Sequence, residues 1–453
     1  MLVILLAAAP LNAKPLRVAA FSCDATPPLG EPMIWAIPLQ KVVTPLLAKG
    51  VVLEDGTNRY VLCAFDWCLI GNESGANFRE TLARAARTSP TRVSVHTVHQ
   101  HVAPYADEGA HRLLDAAPRP PAHLSAAYLE GLRARLEATV RQAVGRLQPF
   151  DRIGTGEAQV ERVASIRRLR DADGKPLVRY SSSGKDLAMA EAPEGDIDPM
   201  LKTITFARGR KALARLHYYA THPQTVSCNG TASADFVGAA REAVEHSEQV
   251  PQVYFNGCAG DVTVGKYNDG SPEACAGLQQ RLEAALRAAI QNTRFARANQ
   301  LVWRTAAVNL PLRAERDAVL AESRAWLADT NQNDGMRVYK GAMRLAFVNR
   351  LERPLEVSSL QLGDVMIVNL PGEPMLAFQR YAQSLRPGRF VAVAGYGDAG
   401  PAYICTDAAI AEGGYEPGSA NVGQDSERIL KEAMRKLFPK PAVRMLSPAA
   451  SPH

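Results

Sequence analysis

The chain has 453 residues, 47% of them hydrophobic and 22% charged, a composition typical of a globular protein with a large buried core. Its 52 basic and 46 acidic side chains give a net charge of +6 and are spread along the whole length. Because no basic stripe is concentrated in one region, the charge pattern indicates no nucleic-acid partner.

The chain begins with an apolar run, MLVILLAAAPLNAKP, that ends in small residues. This pattern predicts a signal peptide over residues 1–13 and therefore an exported, periplasmic or secreted, protein. The run is too short to span a bilayer, and a first buried strand is the alternative reading. No other segment has the length and apolarity of a transmembrane helix.

Strands and helices are predicted in alternation along the first half of the chain. Residues 50–66 predict two strands joined by a turn at Asp55-Gly56. The following segments predict, in order, a helix, a strand, a helix and a hairpin that turns at Arg208-Gly209: 78–87, 92–99, 125–147 and 201–223.

The second half continues in the same way. Helical segments at 235–248 and 271–292 precede strands at 252–257 and 301–310. An apolar strand at 364–370 then runs into a helical segment at 371–385. The whole pattern predicts a mixed α/β fold over residues 14–438. The Pro, Ala and Ser residues of 439–453 predict a disordered tail.

Histidines are concentrated near two predicted strand ends, where open α/β sheets place their ligands. Five of the nine lie there, at positions 96, 99, 101, 217 and 222. Residues two apart on a strand share a face, so His99 and His101 should point the same way, with the His101 imidazole about 6 to 7 Å further along. His96 and His217 lie on the opposite parity and are assigned to the core.

Zinc in a catalytic site is bound by imidazoles and carboxylates and keeps an open position. Two strand-end histidines therefore call for a carboxylate, and Glu373 in NLPGEPM is the best candidate. It follows an apolar strand and a Pro371-Gly372 turn and is predicted to open a helix. The alternative is that Glu373 only complements the helix dipole.

Five segments, taken in order, resemble the neutral/alkaline, non-lysosomal ceramidase family in its N-terminal catalytic domain. They are VHQHVAP at 98–104, YYATHPQTVS with SADFVGAARE, NGCAGDVT, NLPGEPM and YICTDAAIAEGGYEP. In the last of these, Tyr403 and Tyr415 have the spacing that the family pattern requires. The resemblance covers most of the chain and implies a single large catalytic domain built of mixed sheets with flanking helices.

The resemblance also implies a set of site residues. Zinc would be bound by His99, His222, Glu373 and Tyr403, and His101 and Tyr415 would face the substrate. A substrate-facing arginine corresponds to Arg167, with Arg168 and Arg162 as alternatives. The implied reaction is hydrolysis of a linear amide C–N bond in an N-acyl substrate such as a ceramide-like lipid, by water bound to zinc.

In that reaction His101, Arg167 and Tyr415 would stabilise the oxyanion, and His101 or Tyr415 would protonate the departing amine. Asp235 and Asp261 are either acceptors for imidazole N–H groups or caps of the turns that follow them.

The chain departs from the family pattern at several positions. Ile166 replaces an asparagine, Val102-Ala103 replaces Ser-Gly, and Thr263 replaces a serine, which argues against a serine nucleophile there. The family's immunoglobulin-like C-terminal domain has no counterpart, which affects the expected lipid substrate more than the chemistry. Peripheral contact with membrane lipid is compatible with such a substrate, and the oligomeric state is left open.

Three other readings compete with an amidase. One is a zinc esterase or peptidase acting on another acyl bond, and a second is a non-catalytic secreted protein with a structural metal. The third is a Cys258 nucleophile, which no activating feature of the sequence supports. Seven cysteines without a Cys-x-x-Cys pair indicate no four-thiolate zinc site, and export would allow one or two disulfides.

Overall fold

The computed structural model describes residues 15–171, 173–331 and 334–439. The predicted signal peptide and, apart from Pro439, the predicted tail lie outside these ranges. The strands are β1 (Arg17–Asp24), β2 (Lys41–Val42), β3 (Leu47–Glu54), β4 (Arg59–Phe65), β5 (Leu69–Ile70), β6 (Val93–Thr97), β7 (Tyr105–Ala106), β8 (Gln148–Pro149), β9 (Arg152–Gln159), β10 (Ser165–Ile166), β11 (Arg168–Arg170), β12 (Pro176–Val178), β13 (Met200–Arg208), β14 (Lys211–Tyr219), β15 (Thr231–Ala232), β16 (Gln252–Asn256), β17 (Val262–Thr263), β18 (Arg294–Arg297), β19 (Leu301–Val308), β20 (Leu355–Leu362), β21 (Val365–Asn369), β22 (Glu373–Pro374), β23 (Val391–Ala394) and β24 (Tyr403–Ile404).

Helices lie between these strands and confirm the mixed α/β class. They are α1 (Asn72–Ala86), α2 (Glu108–Asp115), α3 (Ala126–Gly145), α4 (Leu187–Glu191), α5 (Asp235–Glu248), α6 (Pro272–Gln291), α7 (Arg316–Ala328), α8 (Gly335–Asn349), α9 (Leu376–Ser384), α10 (Asp407–Glu412), α11 (Tyr415–Ser419) and α12 (Ser426–Leu437). Among the described residues, no helix combines the length and the apolarity needed to cross a membrane.

Three large sheets organise these elements. The strand orders are β6-β4-β3-β1-β8, β16-β14-β13-β9-β18 and β19-β20-β21-β23. Neighbouring strands are antiparallel except for one pair in each sheet, namely β4 with β6, β14 with β16, and β21 with β23. Each of the three large sheets therefore contains one pair of parallel strands.

The carboxyl ends of these parallel strands meet at the centre of the molecule. Gly395, just after β23, donates its N–H to the carbonyl of Asn256 at the end of β16, with an N···O distance of 2.9 Å. Thr97, at the end of β6, donates in the same way to Tyr396, also at 2.9 Å. The three sheets thus join where parallel strands end, the position at which α/β folds place ligands.

One hydrophobic core connects the sheets. Its largest cluster includes Leu62 of the first sheet, Phe255 of the second and Ile367 of the third, all fully or almost fully buried. Because the side chains of all three sheets pack into this cluster, the sheets form one cooperative unit rather than separate domains.

Most predicted elements are present, and two boundaries differ in ways that bear on the site. The strand predicted over 92–99 ends at Thr97, before His99. Glu373 does not open a helix: it lies in β22, and α9 begins only at Leu376. The backbone N–H of Leu376 donates to Asp261 Oδ1 at 2.8 Å, so a distant carboxylate fixes where this helix starts.

A candidate zinc centre at the strand ends

The segment after β6 turns two imidazoles towards one point. His99 adopts a left-handed backbone conformation, with φ of 74°, that is uncommon for a residue with a large side chain. Its N–H donates to the carbonyl of Trp67 (2.9 Å), and its Nδ1 lies 2.8 Å from the carbonyl of Cys68. Contrary to the prediction, His99 and His101 do not lie on one extended strand, because β6 ends at Thr97 and the backbone has turned at His99.

Gln100, between the two histidines, anchors this turn in the protein interior. Its side chain is fully buried and donates to Asp66 Oδ1 (3.2 Å) and to the carbonyl of Ala234 (3.3 Å). Asp66 in turn binds both terminal nitrogens of Arg241 at 2.8 Å. Since the Gln100 side chain points into this network, the side chains of His99 and His101 on either side of it face the opposite side of the turn, where they meet His222.

Three imidazoles meet within hydrogen-bonding distance of one another. The Nε2 atom of His222, three residues beyond β14, is 3.2 Å from Nε2 of His99. His101 Nε2 is 3.3 Å from His99 Nε2 and 2.9 Å from His222 Nε2. The expected separation of 6 to 7 Å between the His99 and His101 imidazoles is therefore wrong.

A carboxylate and a phenol complete the constellation through a short parallel pairing. Glu373 in β22 lies directly opposite Tyr403 in β24. Glu373 Oε2 is 3.3 Å from His99 Nε2. The preceding Gly372 has φ of 64°, and a Cβ there would lie 2.7 Å from the carbonyl oxygen of Ala402. The absence of a side chain at Gly372 thus allows the segment of Glu373 to lie close to the segment of Tyr403.

The donor set fits a zinc ion. A tetrahedral zinc with Zn–N distances of about 2.0–2.1 Å separates its ligand atoms by about 3.3 Å. The 3.2 Å between His99 and His222 and the 3.3 Å between His99 and Glu373 match that edge. Nδ1 of His99 donates to a carbonyl, so Nε2 is the nitrogen left for a cation. Glu373 Oε2 is buried and accepts no hydrogen bond from the described residues.

The electrostatics favour a positive charge at the same point. Burial opposes protonation of His99, but the Glu373 carboxylate and Cys68 outweigh burial and raise the pKa of His99 to about 10. Burial and the positive charges of His99 and Arg167 lower the pKa of His101 and of His222 well below the usual value. Both are therefore neutral imidazoles at neutral pH, the form that binds metal.

Of the three candidate arginines, Arg167 alone reaches the site. It is 5% exposed, and its Nη1 donates to Tyr403 Oη at 3.0 Å. Its guanidinium carbon lies 5.6 Å from the ring centroid of Tyr415. Arg168 instead binds the acidic segment around Glu416, and Arg162 lies over Tyr267 at the surface.

Tyr415 lies at the mouth of the site. Its side chain is 43% exposed, and its ring centroid is 5.9 Å from that of Tyr403. Burial and the Glu373 carboxylate raise the pKa of Tyr403 well above its usual value, so the side chains alone keep this phenol protonated. The two tyrosines thus form an inner and an outer position on one wall.

Several residues named from the sequence have structural roles instead. Asp235 accepts from the N–H and hydroxyl of Thr225, and Asp261 caps α9, so neither contacts an imidazole N–H in the hydrogen bonds of the described residues. Cys258 is fully buried, and burial raises the pKa of its thiol well above the ordinary value, which leaves it unreactive. All seven cysteines are free.

His96 and His217 are buried core histidines, as predicted. His96 is hydrogen-bonded to Ser94 Oγ (2.7 Å) and to the carbonyl of Gly395 (2.6 Å). His217 is bonded to Thr203 Oγ1 (2.9 Å) and Gln252 Oε1 (2.7 Å). Burial lowers the pKa of each to about 4, so both are neutral in the fold.

Two aromatic neighbours of the cluster were not predicted from the sequence. Tyr396 stacks on His99 with a centroid distance of 4.4 Å, and Trp35 lies 6.3 Å from His101. Tyr396 follows β23 in a Gly-Tyr-Gly segment at a strand end, a signal that was available. Trp35 comes from an irregular loop with φ of 59°, which no periodicity marks.

A cleft of about 770 Å³ lies on a part of the surface that is separate from the site. Its lining includes Ser94, His96 and Asn369 and the ion-paired arginines 79, 112 and 350. None of the seven residues named as ligands or substrate contacts lines it.

Solved structures share this architecture. Neutral ceramidase from Pseudomonas aeruginosa superposes with a TM-score of 0.67 and 17% identity, covering 93% of this chain and 74% of that one. A ceramidase complexed with C2 gives a TM-score of 0.66 and 16% identity over the same fractions. No protein-family model and no curated protein matches the sequence. The expected ceramidase fold is thus confirmed, and at this identity the likeness establishes the fold alone.

Proposed function

We propose that the chain is a zinc-dependent hydrolase that cleaves the amide bond of an N-acyl lipid of the ceramide type. The observation that carries this proposal is the convergence of His99, His222 and Glu373, whose ligand atoms all lie within 4.8 Å of one another, with His222 and Glu373 at 3.2 and 3.3 Å from His99 Nε2. A buried arginine and a tyrosine pair lie beside them. Likeness of the fold to ceramidases supports the choice of an amide over other acyl bonds.

The ligands of the metal would be His99, His222, Glu373 and Tyr403. When bound, zinc lowers the pKa of a water molecule to about 7 and polarises the scissile carbonyl. The backbone carbonyl of Cys68 holds the His99 ring in the orientation that presents Nε2. Tyr403 enters as a neutral phenol whose oxygen already accepts a hydrogen bond from Arg167.

The remaining site residues act on the substrate. Arg167 stays positively charged under all relevant conditions and is buried, so it stabilises the oxyanion that develops on the amide oxygen. The neutral imidazole of His101 and the phenol of Tyr415 would donate hydrogen bonds there. His101 would also take up the proton that the attacking water loses and then pass it to the departing amine, and Tyr415 is the alternative donor.

Exposed apolar side chains in and after the segment that contacts Tyr415 suit a lipid. Tyr180 is 61% exposed and its ring lies 6.2 Å from that of Tyr415, and Leu187 on the following helix is 76% exposed. Such side chains would contact the acyl chain, or the surface of a micelle or membrane that presents it. Peripheral contact with lipid is therefore part of the proposal.

A substrate panel with metal control tests the proposal. The purified chain should carry about one zinc and hydrolyse N-acylsphingosines, with activity lost to a chelator and restored by zinc. His222→Ala and Glu373→Gln should each lose most of the zinc, whereas His246→Ala, an exposed histidine outside the site, should keep it. Full zinc in folded His222→Ala and Glu373→Gln proteins would contradict the ligand assignment.

The same panel distinguishes the competing functions. Turnover of esters or peptides without any N-acyl amide would favour the zinc esterase or peptidase. Bound zinc without turnover of any acyl substrate would favour a metal-binding protein. We further propose export with a mature chain that begins near Lys14, and an N-terminal sequence that retains Met1 would exclude it.

A further inference from the structure

A fully buried carboxylate lies directly behind the substrate-facing wall. Glu416 follows Tyr415 in the first turn of α11, and its side chain has no exposed surface. Its Oε2 accepts from Arg168 Nη1 at 2.8 Å. Its Oε1 accepts no hydrogen bond from any described residue, yet lies 4.0 Å from Arg167 Nη1.

Two consecutive arginines therefore share one carboxylate in different ways. Arg168 binds it directly and also donates to Glu412 Oε2 (3.0 Å) and to the carbonyl of Gly413 (2.9 Å), so it ties this segment to β11. Arg167 is attracted to the same carboxylate without a hydrogen bond. In the part of the chain that the structure describes, Glu416 is the only carboxylate within 4.0 Å of Arg167.

The missing hydrogen bond has a geometric consequence. Arg167 Nη1, the atom nearest to Glu416, is the one that donates to Tyr403 Oη at 3.0 Å. A carboxylate in direct contact would draw the guanidinium group of Arg167 towards itself and away from Tyr403. At 4.0 Å it offsets the buried charge of Arg167 and leaves the donor directed at the phenol.

We infer that Glu416 is a positioning residue, which holds Arg167 on Tyr403 and offsets its charge beside the metal-binding cluster. This inference rests on the proposed function, because it assigns Glu416 a role in that site. Removing the carboxylate leaves an uncompensated cation next to the point where zinc would bind. Both zinc affinity and transition-state stabilisation should then fall.

The test uses the full chain and a matched control. Glu416→Gln removes the charge at nearly constant shape, and Glu412→Gln removes the other carboxylate that binds Arg168, at 42% side-chain exposure. Glu416→Asp keeps the charge but withdraws it by about 1.5 Å, and it serves where the Gln variant fails to fold. For each variant we would measure zinc dissociation constants by chelator competition, kcat and KM on an N-acylsphingosine, and the melting temperature.

We expect Glu416→Gln to raise the zinc dissociation constant about tenfold and to lower kcat about 10- to 100-fold, the scale for residues that orient metal ligands. KM should change by less than about threefold, and Glu416→Asp should show smaller losses. Glu412→Gln should match the wild type in all three. In an Arg167→Gln background, which removes the cation, Glu416→Gln should add little further loss of kcat, because Glu416 then has no Arg167 charge to offset or to position.

Unchanged zinc affinity and kcat per folded molecule in Glu416→Gln, even with a lower melting temperature, would show a purely structural role and overturn the inference. If the loss of kcat caused by Glu416→Gln is equally large in the Arg167→Gln background, the two residues do not act together and the inference is also overturned. If the wild type binds zinc but hydrolyses no amide, the proposed function fails while the zinc titration still decides the role of Glu416. A wild type that binds no zinc overturns both.

Discussion

Replacing Asp66 with asparagine tests how the turn that carries His99 and His101 is held. Asp66 is fully buried, its two oxygens each lie 2.8 Å from a terminal nitrogen of Arg241, and it also accepts from Gln100 at 3.2 Å. The substitution keeps the shape and removes the charge, so Arg241 loses its bidentate partner. The substitution therefore measures what the ion pair contributes to stability, separately from the contribution of side-chain packing.

The expected cost follows from the burial of both partners. Breaking a buried ion pair by removing one member costs about 3–5 kcal/mol, because the other charge stays buried without compensation. Arg241 retains one further contact, from its Nε to Glu242 Oε1 at 2.9 Å. We therefore expect the low end of that range, about 3 kcal/mol of unfolding free energy.

Urea denaturation with the metal removed measures this loss, and chelator competition measures the effect on zinc. The control is Asp364→Asn, whose ion pair with Arg389 has side-chain exposures of 70% and 53% and should contribute less than about 1 kcal/mol. We expect Asp66→Asn to weaken zinc binding about tenfold as well, because the oxygen that accepts from Gln100 loses its negative charge and its alignment by Arg241. A loss of stability no greater than that of the control would refute the reasoning.

Four further outcomes are expected. Tyr403→Phe should weaken zinc binding less than Glu373→Gln, because it removes a neutral oxygen rather than a charge; equal losses in chelator competition would contradict this. Tyr415→Phe should keep its zinc and melting temperature but lose about 10² in turnover, the scale for an oxyanion donor. His101→Ala should lose a similar factor and retain most of its zinc, since the four proposed ligands remain; zinc loss in proportion to turnover would instead make it a ligand. Because burial lowers the pKa of His217 from 6.5 to about 4, the unfolded chain binds the extra proton between these values. The contribution of neutral His217 to the free energy of unfolding is fully present above pH 6.5 and is lost as pH falls, by about 2 kcal/mol at pH 5. His217→Gln should make the fall in urea stability between pH 7 and 5 smaller by about 2 kcal/mol, while His96, whose pKa is lowered in the same way, keeps its own share. An unchanged slope would exclude this account.

Local sequence signals predicted elements whose boundaries are set locally. The helix expected over 235–248 has those bounds, because apolar spacing and a terminal acidic residue mark it within one segment. The two strands around Asp55 could be predicted from the turn dipeptide Asp55-Gly56, and the Asp55 side chain does accept from the N–H groups of Thr57 and Asn58, at 2.8 and 2.7 Å. Because these contacts join residues no more than three positions apart, the local sequence is enough to predict them.

The errors arose where distant residues set the backbone. His99 leaves the strand because it bonds to Trp67 and Cys68, 32 and 31 residues earlier, and no local pattern encodes that pairing. Glu373 forms a strand rather than a helix because its partner, Tyr403, lies 30 residues later. The sequence did indicate that histidines cluster at strand ends, whereas how closely their rings approach depends on how three sheets pack.

One ion at this centre would join three parts of the chain that are otherwise far apart in sequence. His99 follows a strand of the first sheet, His222, 123 residues later, one of the second, and Glu373 one of the third. Closing such long loops is costly, so the unfolded chain offers no preassembled pocket and should bind zinc weakly. Almost all of the binding energy then opposes unfolding, about 2.7 kcal/mol when free zinc exceeds the dissociation constant a hundredfold. Tight zinc binding would therefore report that all three sheets have assembled, and a partly folded chain would be unable to retain the metal.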